Sequence, residues 1–236
     1  MRVGSTLLLK NGKCFQSYNW KFFRPLGSVQ IALDTLNEYE CDEVAIIRPA
    51  RNDDSLNLFS QDLDILKRSK TMTPISFGGG IRSLAQLNLL ESLPIERLIF
   101  SSSFIENNSS FIYQASRIFG KQAIQCLLPV KIIEHDTYIY LSNKAEFVGL
   151  EKIDFALINE LANEVILYDT RNDGYHDCFD ETIINKVCFP KHKLIISGGV
   201  GKSTIEWARR QGIASVLIDN KVLHREYSIR GFKHGN

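Results

Sequence analysis

No stretch of the 236-residue chain stays apolar for the roughly 20 positions that a bilayer-spanning helix needs, so no membrane-spanning helix is expected. The opening Met1-Arg2-Val3-Gly4 has neither the apolar core nor the cleavage site of a signal peptide, and a cytoplasmic location is expected. An excess of one charge is missing too. The 28 Lys and Arg against 27 Asp and Glu leave a formal net charge of +1, which gives no electrostatic reason to expect nucleic acid or an anionic membrane as partner. Cysteine is sparse and badly spaced for chemistry. Cys14, Cys41, Cys126, Cys178 and Cys188 are odd in number and contain no Cys-x-x-Cys, so disulfides and a structural zinc are not expected, and no metal or cofactor is implied. Free thiols, buried or semi-buried, are the reading. There is no low-complexity tract, linker or Pro/Gly-rich hinge, so one domain spans residues 1–236.

What the chain does have is alternation. Short β-branched runs occur at Val3–Leu9, Val44–Arg48, Ile75–Phe77, Leu98–Ser101, Ala123–Leu128, Val165–Asp169, Leu194–Ser197 and Val216–Asp219. Amphipathic helical stretches lie near 28–39, 60–69, 83–92, 108–119, 153–162, 179–187, 203–211 and 221–229. Strands apolar on both faces and separated by helices call for a parallel sheet. Ser83 is a plausible N-cap with Gln86 at the capping-box position, and Lys202 or Ser203 opens the matching helix of the second half. Residues 131–146 read as a hairpin inserted after the fifth strand, with Tyr138-Ile139-Tyr140 as a β-prone arm.

The two halves repeat. Ile75-Ser76-Phe77-Gly78-Gly79-Gly80 resembles Ile195-Ile196-Ser197-Gly198-Gly199, and Gly79 and Gly198 lie 119 residues apart (198 − 79). Glu43-Val44-Ala45-Ile46 parallels Glu164-Val165-Ile166-Leu167, and Leu7-Leu8-Leu9-Lys10 parallels Leu128-Pro129-Val130-Lys131, an offset of 121 (128 − 7). Two (βα)4 halves, about 1–120 and 121–236, predict an α/β fold, a (βα)8 TIM barrel; an open doubly wound sheet would not need the repeat.

In such a barrel the glycine pairs fall at the C-terminal strand ends, where active sites lie. Glycine lets backbone N–H groups approach an anion closely. Gly79 and Gly80 in one half, and Gly198 and Gly199 in the other, are therefore candidate phosphate or anion seats on opposite sides of the mouth, which would suit a ligand with a phosphate at each end. The competing reading is that these glycines only make tight turns. Gly201-Lys202-Ser203 is not a nucleotide-binding P-loop, because the earlier glycine of that motif would fall at Ile196.

Together with Leu9-Lys10-Asn11-Gly12-Lys13, Phe119-Gly120-Lys121-Gln122-Ala123, Asn172-Asp173-Gly174 and Leu223-His224-Arg225-Glu226, these motifs resemble, from end to end, the cyclase subunit of imidazole glycerol phosphate synthase, the HisF-like family. The resemblance implies two catalytic aspartates, ending the first and fifth strands. Here those places hold Leu8 and Pro129, neither of which exchanges a proton. Asp169 and Asp173 are the possible substitutes. Ser101 and Ser102, with Ser103, keep an anion-binding character after the fourth strand, whereas Asp219-Asn220 after the eighth would repel phosphate. Lys10, Arg48, Arg171 and Asp173 form either a polar mouth for another ligand or a solvated rim. The family's other end closes with a ring of two basic and two acidic residues; Arg2, Glu43, Arg97 and Glu164 match it in sign. By resemblance this ring is an ammonia gate, and a glutaminase partner docks on that N-terminal face, with Glu96 beside it. Phe15, Tyr18, Trp20, Phe22 and Phe23 crowd the loop after the first strand, which covers the substrate in the family; they mark either a protein contact or packing across the mouth.

The leucine run followed by Lys10 is similar to a branch of HisF-like proteins associated with surface-polysaccharide genes. That resemblance implies a channelling subunit of a glutamine amidotransferase complex, non-catalytic itself, passing ammonia to an ATP-dependent sugar amidotransferase at the opposite face in lipopolysaccharide biosynthesis. The alternatives are an active cyclase (lyase) in histidine biosynthesis and a non-catalytic barrel that binds a phosphorylated ligand.

Overall fold

The computed structural model describes residues 1–50, 54–134, 136–219, Ile229 and Lys233. The first half runs β1 (Arg2–Lys10), β2 (Lys13–Tyr18), β3 (Phe22–Ser28), α1 (Val29–Glu38), β4 (Val44–Ile47), α2 (Leu56–Arg68), β5 (Ile75–Gly78), α3 (Leu84–Leu90), β6 (Arg97–Phe100), α4 (Ser102–Ile105) and α5 (Ser109–Phe119). The second runs β7 (Ile124–Ile133), β8 (Asp136–Leu141), β9 (Glu146–Gly149), α6 (Phe155–Leu161), β10 (Glu164–Asp169), α7 (Thr182–Lys186), β11 (Leu194–Ser197), α8 (Lys202–Gln211) and β12 (Ser215–Ile218). The helix expected near 221–229 and the motif Leu223-His224-Arg225-Glu226 lie outside the described residues, as does Asn220.

Strands β1, β4, β5, β6, β7, β10, β11 and β12 pair in parallel in chain order, and β12 returns to β1 through Val3↔Val216 to close the barrel. Each strand is apolar on both faces because each face meets a different layer. Outward side chains such as Leu7, Leu9, Ile46 and Leu167 pack under the helices. Inward ones, namely Leu8, Ala45, Ile47, Ile99, Leu127, Ile166, Tyr168, Ile195 and Leu217, form a separate interior cluster. Among the described residues no helix is long and apolar enough to cross a membrane. Cys14, Cys41 and Cys126 are buried in the outer layer, while Cys178 and Cys188 are exposed; all five are free thiols.

The extra strands correct one expectation and extend another. The aromatic segment after β1 is not a loop: β1 runs on past the barrel and pairs antiparallel with β2 (Leu8↔Phe15), which pairs with β3. The hairpin expected at 131–146 is present, with Tyr138-Ile139-Tyr140 in β8, but its first arm is the barrel strand itself. β7 itself continues to Ile133 and pairs with β8, then β9, so the arm ends at Gly149. β1 and β7 are equivalents under the half-barrel repeat, and both grow such a three-stranded arm over the mouth.

Pro129 therefore lies inside β7 rather than ending it. The Asn163 N–H donates to the Ile124 carbonyl and the Thr170 N–H to the Val130 carbonyl, so even-numbered residues of β7 turn their backbone groups to β10. Pro129 faces the other way, between the last β6 pair at Cys126 and the first β8 pair at Val130. Its missing donor breaks no ladder bond there.

Candidate functional site

The N-terminal end of the barrel axis carries a closed ring of charge. β1 supplies Arg2, the residue before β4 supplies Glu43, β6 supplies Arg97 and β10 supplies Glu164. Arg2 Nε lies 3.0 Å from Glu43 and its Nη2 pairs with Glu164; Arg97 Nη1 lies 3.4 Å from Glu43 and its Nε 4.0 Å from Glu164. Signs alternate around the ring, so every charge has two opposite neighbours. Ser215 donates to Glu43, and the Gln125 amide donates to Glu164 at 2.9 Å. Burial works against the Arg2 charge, but the two carboxylates outweigh it and hold its pKa above the ordinary value. Glu96 sits exposed beside Arg97.

Glu43 is buried while both of its arginines are part-exposed. Removing one partner of a fully buried pair costs about 3–5 kcal/mol. Here the orphaned guanidinium groups can still reach water, so Glu43→Ala is expected to cost about 2 kcal/mol, a melting decrease of about 4–8 °C. Thermal unfolding of the two proteins checks this, and Glu43→Gln should lose less, because the Ser215 bond survives.

The opposite end holds a cavity of about 390 Å3. Its floor is Leu8, Ile47, Ile99 and Leu127, and Pro129 borders it; Gly79, Gly80, Ser101 and Ser102 form one wall, and Trp20, Tyr140 and Phe147 another. The two family carboxylate places, Leu8 and Pro129, thus both face it without a titratable group. Lys21, Lys131 and Arg171 line it as well, whereas Lys10 does not.

Asp169 and Asp173 do not border this space. Asp169 accepts from the Arg171, Asn172 and Asp180 backbone N–H groups and from the Asn172 amide, which organises the loop after β10. Asp173 is almost fully buried and accepts from Ser17, from Tyr168 Oη at 2.6 Å and from the Trp20 N–H at 3.2 Å. Burial pushes its carboxyl up to about 6, against the pull of those donors. Its work is to hold the tip of the β2–β3 arm. There Asn19 and Trp20 both have positive φ (53° and 57°), a turn of the primed type, which Asn tolerates and Trp rarely adopts. The Trp20 ring lands edge-on against Tyr168, centroids 5.1 Å apart, and so stoppers the interior over the second half-barrel.

Arg48 is not a free rim cation. It is buried, and its guanidinium takes Asp54 through two bonds (2.8 and 2.9 Å) and Asp62 at 2.8 Å while stacking 4.9 Å over Phe59. Asp54 and Asp62 flank and occupy α2, and their role could have been suspected only from the period of that helix.

The four glycines differ in setting. A Cβ on Gly79 would lie 1.9 Å from the Arg48 carbonyl oxygen, and one on Gly198 would lie 2.2 Å from that of Asp169; both glycines have positive φ. The equivalent strand ends thus crowd the equivalent glycines, and packing alone requires the residue type. Gly79 and Gly80 nevertheless open on the cavity, while Gly198 and Gly199 do not. The Gly199 carbonyl instead accepts from Cys178 and Phe179 N–H groups of the overlying loop. Ser83 caps α3 as expected, but Gln86 reaches the Arg82 N–H at 2.8 Å rather than that of the cap.

An eight-stranded parallel barrel of two like halves, charged and closed at one end and hollow at the other, defines the class: a double half-barrel (βα)8 protein. A family model described as "Histidine biosynthesis protein" matches residues 2–228, and the chain belongs to that family. Similar relatives include the imidazole glycerol phosphate synthase subunit HisF of Lactococcus lactis subsp. lactis (strain IL1403), 27% identical over 207 residues, covering 85% of this chain and 79% of the relative. The same subunit of Hydrogenobaculum sp. (strain Y04AAS1) is 25% identical over 210 residues, covering 85% and 81%. An imidazole-4-carboxamide isomerase of Buchnera aphidicola subsp. Acyrthosiphon pisum (strain Tuc7) is 23% identical over 237 residues, covering 94% and 93%.

Proposed function

We propose that this chain is the ammonia-conducting subunit of a glutamine amidotransferase complex. A glutaminase docks on the N-terminal face, ammonia passes the Arg2–Glu43–Arg97–Glu164 ring and rises through the apolar interior, and a sugar amidotransferase receives it at the mouth in surface-polysaccharide biosynthesis. The observation that carries the reading is the combination of a complete, mutually paired ring with Leu8 and Pro129 in the places of the family's acid and base. Side chains such as Ala45, Ile99, Leu127, Ile166 and Leu217 make an interior that penalises ammonium through desolvation and admits neutral ammonia. Phe22, 71% exposed, and Phe23, 43% exposed, on the β3 edge support a protein contact at the mouth. The Gly79–Gly80 and Ser101–Ser102 wall would hold an anionic group there.

The test is to assay aminated sugar with the assembled complex, supplied with either glutamine or an ammonium salt. Glu164→Ala and Arg97→Ala are expected to lower the glutamine-driven rate severalfold and to leave the ammonium-driven rate near that of the native complex. Equal rates from glutamine in native and variant complexes would sink the channel.

The HisF relatives support a second reading, an active cyclase of histidine biosynthesis. The engagement of Asp169 with the loop after β10, and of Asp173 with the β2–β3 arm and Tyr168, speaks against it, because general acid–base catalysis needs a titratable group within hydrogen-bond reach of the substrate. Turnover of the family's ribosyl bis-phosphate substrate with ammonium salts would establish it.

A further inference from the structure

Between Lys10 and Asp34 the chain carries Lys10, Lys13, Lys21 and Arg24 and no acidic residue, although the whole protein is balanced at +1. All four cations are exposed, and no ion pair engages them among the described residues. The segment folds as the β2–β3 arm. Among the described residues β3 pairs with β2 alone, so its outer edge is free. Pro25 and the cations around it work against the addition of a further strand along that edge. A partner must therefore take the arm by its side chains.

The two faces of the arm are alike in chemistry. Residues directly opposite in an antiparallel pair share a face. Phe23 lies opposite Ser17, whose hydroxyl donates to Asp173, and Phe23 and Lys21 both border the mouth cavity. Phe22 lies opposite Tyr18, and Arg24 opposite Gln16, so both belong to the other face; neither borders the cavity. Each face thus presents one exposed phenylalanine and one unpaired cation.

The arm is also held in place before anything docks. The Asn19 N–H donates to the Asp173 carbonyl at 3.0 Å, and the Trp20 N–H to the Asp173 carboxylate at 3.2 Å. The Trp20 ring stands edge-on to Tyr140 and Tyr168, with centroids 6.1 and 5.1 Å apart. A Cβ on Gly174 would lie 2.6 Å from the Ser17 carbonyl oxygen, so the loop after β10 lies directly against β2. Docking onto such an arm costs little ordering entropy.

We propose that the β2–β3 arm is the docking prong for an acidic cleft on the protein that receives the ammonia. One lip of the cleft enters the mouth against Lys21 and Phe23, and the other meets Phe22 and Arg24. Exposed aromatic and arginine side chains on a fixed support are the usual anchors of a protein interface, and unpaired cations choose a partner of opposite charge. A flat anionic membrane would meet one face of the arm, whereas a cleft meets both. A lip inside the mouth would also shut the ammonia exit off from bulk water. The inference rests on the reading of the sugar amidotransferase as the partner at the mouth, and it names the surface and the chemistry of that contact.

The test measures binding of the purified amidotransferase to the full-length chain by surface plasmon resonance. Phe22→Ala and Arg24→Glu change exposed side chains, and each is expected to weaken binding about tenfold or more. Lys186→Glu, an equal charge reversal at an exposed position on α7, should bind like the native chain. Raising NaCl from about 50 to about 300 mM should weaken the native complex severalfold and the Arg24→Glu complex less. A native chain that binds the amidotransferase, with Phe22→Ala and Arg24→Glu binding equally well, overturns the docking arm and leaves ammonia conduction standing. A native chain that does not bind it overturns both. Phosphatidylglycerol vesicles are the remaining probe: if Arg24→Glu loses vesicle binding and keeps the amidotransferase, the arm is a membrane contact and the proposal falls.

Discussion

Arg48→Leu is expected to destabilise the protein by about 3–5 kcal/mol, the range for breaking a buried ion pair by removing one member. Side-chain exposures are 5% for Arg48, 8% for Asp54 and 4% for Asp62, so neither carboxylate can recover its lost partner in water. Asp62 also accepts the Gly12 N–H at 2.7 Å, which ties α2 to the turn between β1 and β2. Arg48 in turn donates to the Gly79 carbonyl at 3.2 Å, so the Gly79–Gly80 turn should loosen with it. In the variant the orphaned carboxyls acquire folded-state pKa values above their unfolded ones. The deficit must then shrink as pH falls and they become neutral. Thermal unfolding at pH 7.5 and 5.0 checks both statements: a melting decrease of about 10 °C at the higher pH, partly recovered at the lower. Replacing all three residues together, Arg48→Met with Asp54→Asn and Asp62→Asn, should cost less than Arg48→Leu alone, because no buried charge is left unpaired.

Arg48 also shows what sequence could and could not tell. The barrel was legible because a β-branched strand, a glycine turn and an amphipathic helix recur with one period, and each signal is local. The charged ring was legible as four residues standing just before strands, and the repeat locates Leu8 and Pro129 without a structure. What was not legible depends on long-range pairing. Arg48 reads as a mouth cation until α2 folds back to present Asp62 beside it. Pro129 reads as a strand end because the rule concerns its missing donor, and only the neighbours decide whether that donor is needed. The arm after β1 reads as a loop because Asn19-Trp20 is not a common hairpin turn; its conformation is held from outside, by Asp173 and Tyr168. The two glycine turns look alike in sequence, yet only Gly79 and Gly80 border the cavity, because the loop carrying Cys178 and Phe179, which neither motif contains, lies over Gly199.

Between pH 5 and 7 the protein should lose stability as the pH rises, and Asp173 should be the main cause. Burial, with the Asp219 charge adding to it, raises the Asp173 carboxyl from 3.8 to about 6, although Ser17, Tyr168 and the Trp20 N–H hold it down. A folded-state pKa above the unfolded one means that the protonated form binds the fold better. That contribution is whole below pH 4 and disappears as pH climbs through about 6. A shift of about two units corresponds to about 3 kcal/mol in all, of which roughly 1.3 kcal/mol falls between pH 5 and 7. Asp169 is raised by burial as well and contributes with the same sign. Asp177 is shifted down by its four donors and contributes with the opposite sign, at more acid pH. Asp173→Asn should therefore flatten the slope between pH 5 and 7 and leave only the smaller Asp169 part. It also loses one of three donor bonds, so its stability at pH 5 should lie below that of the native protein. Denaturant unfolding across this window measures the slope, and a native profile as flat as that of the variant would remove Asp173 from the account. Trp20 fluorescence in a Trp207→Phe background gives a second readout, with a midpoint near 6, because the Trp20 N–H donates to Asp173 and its ring rests against Tyr168, whose hydroxyl donates to the same carboxylate.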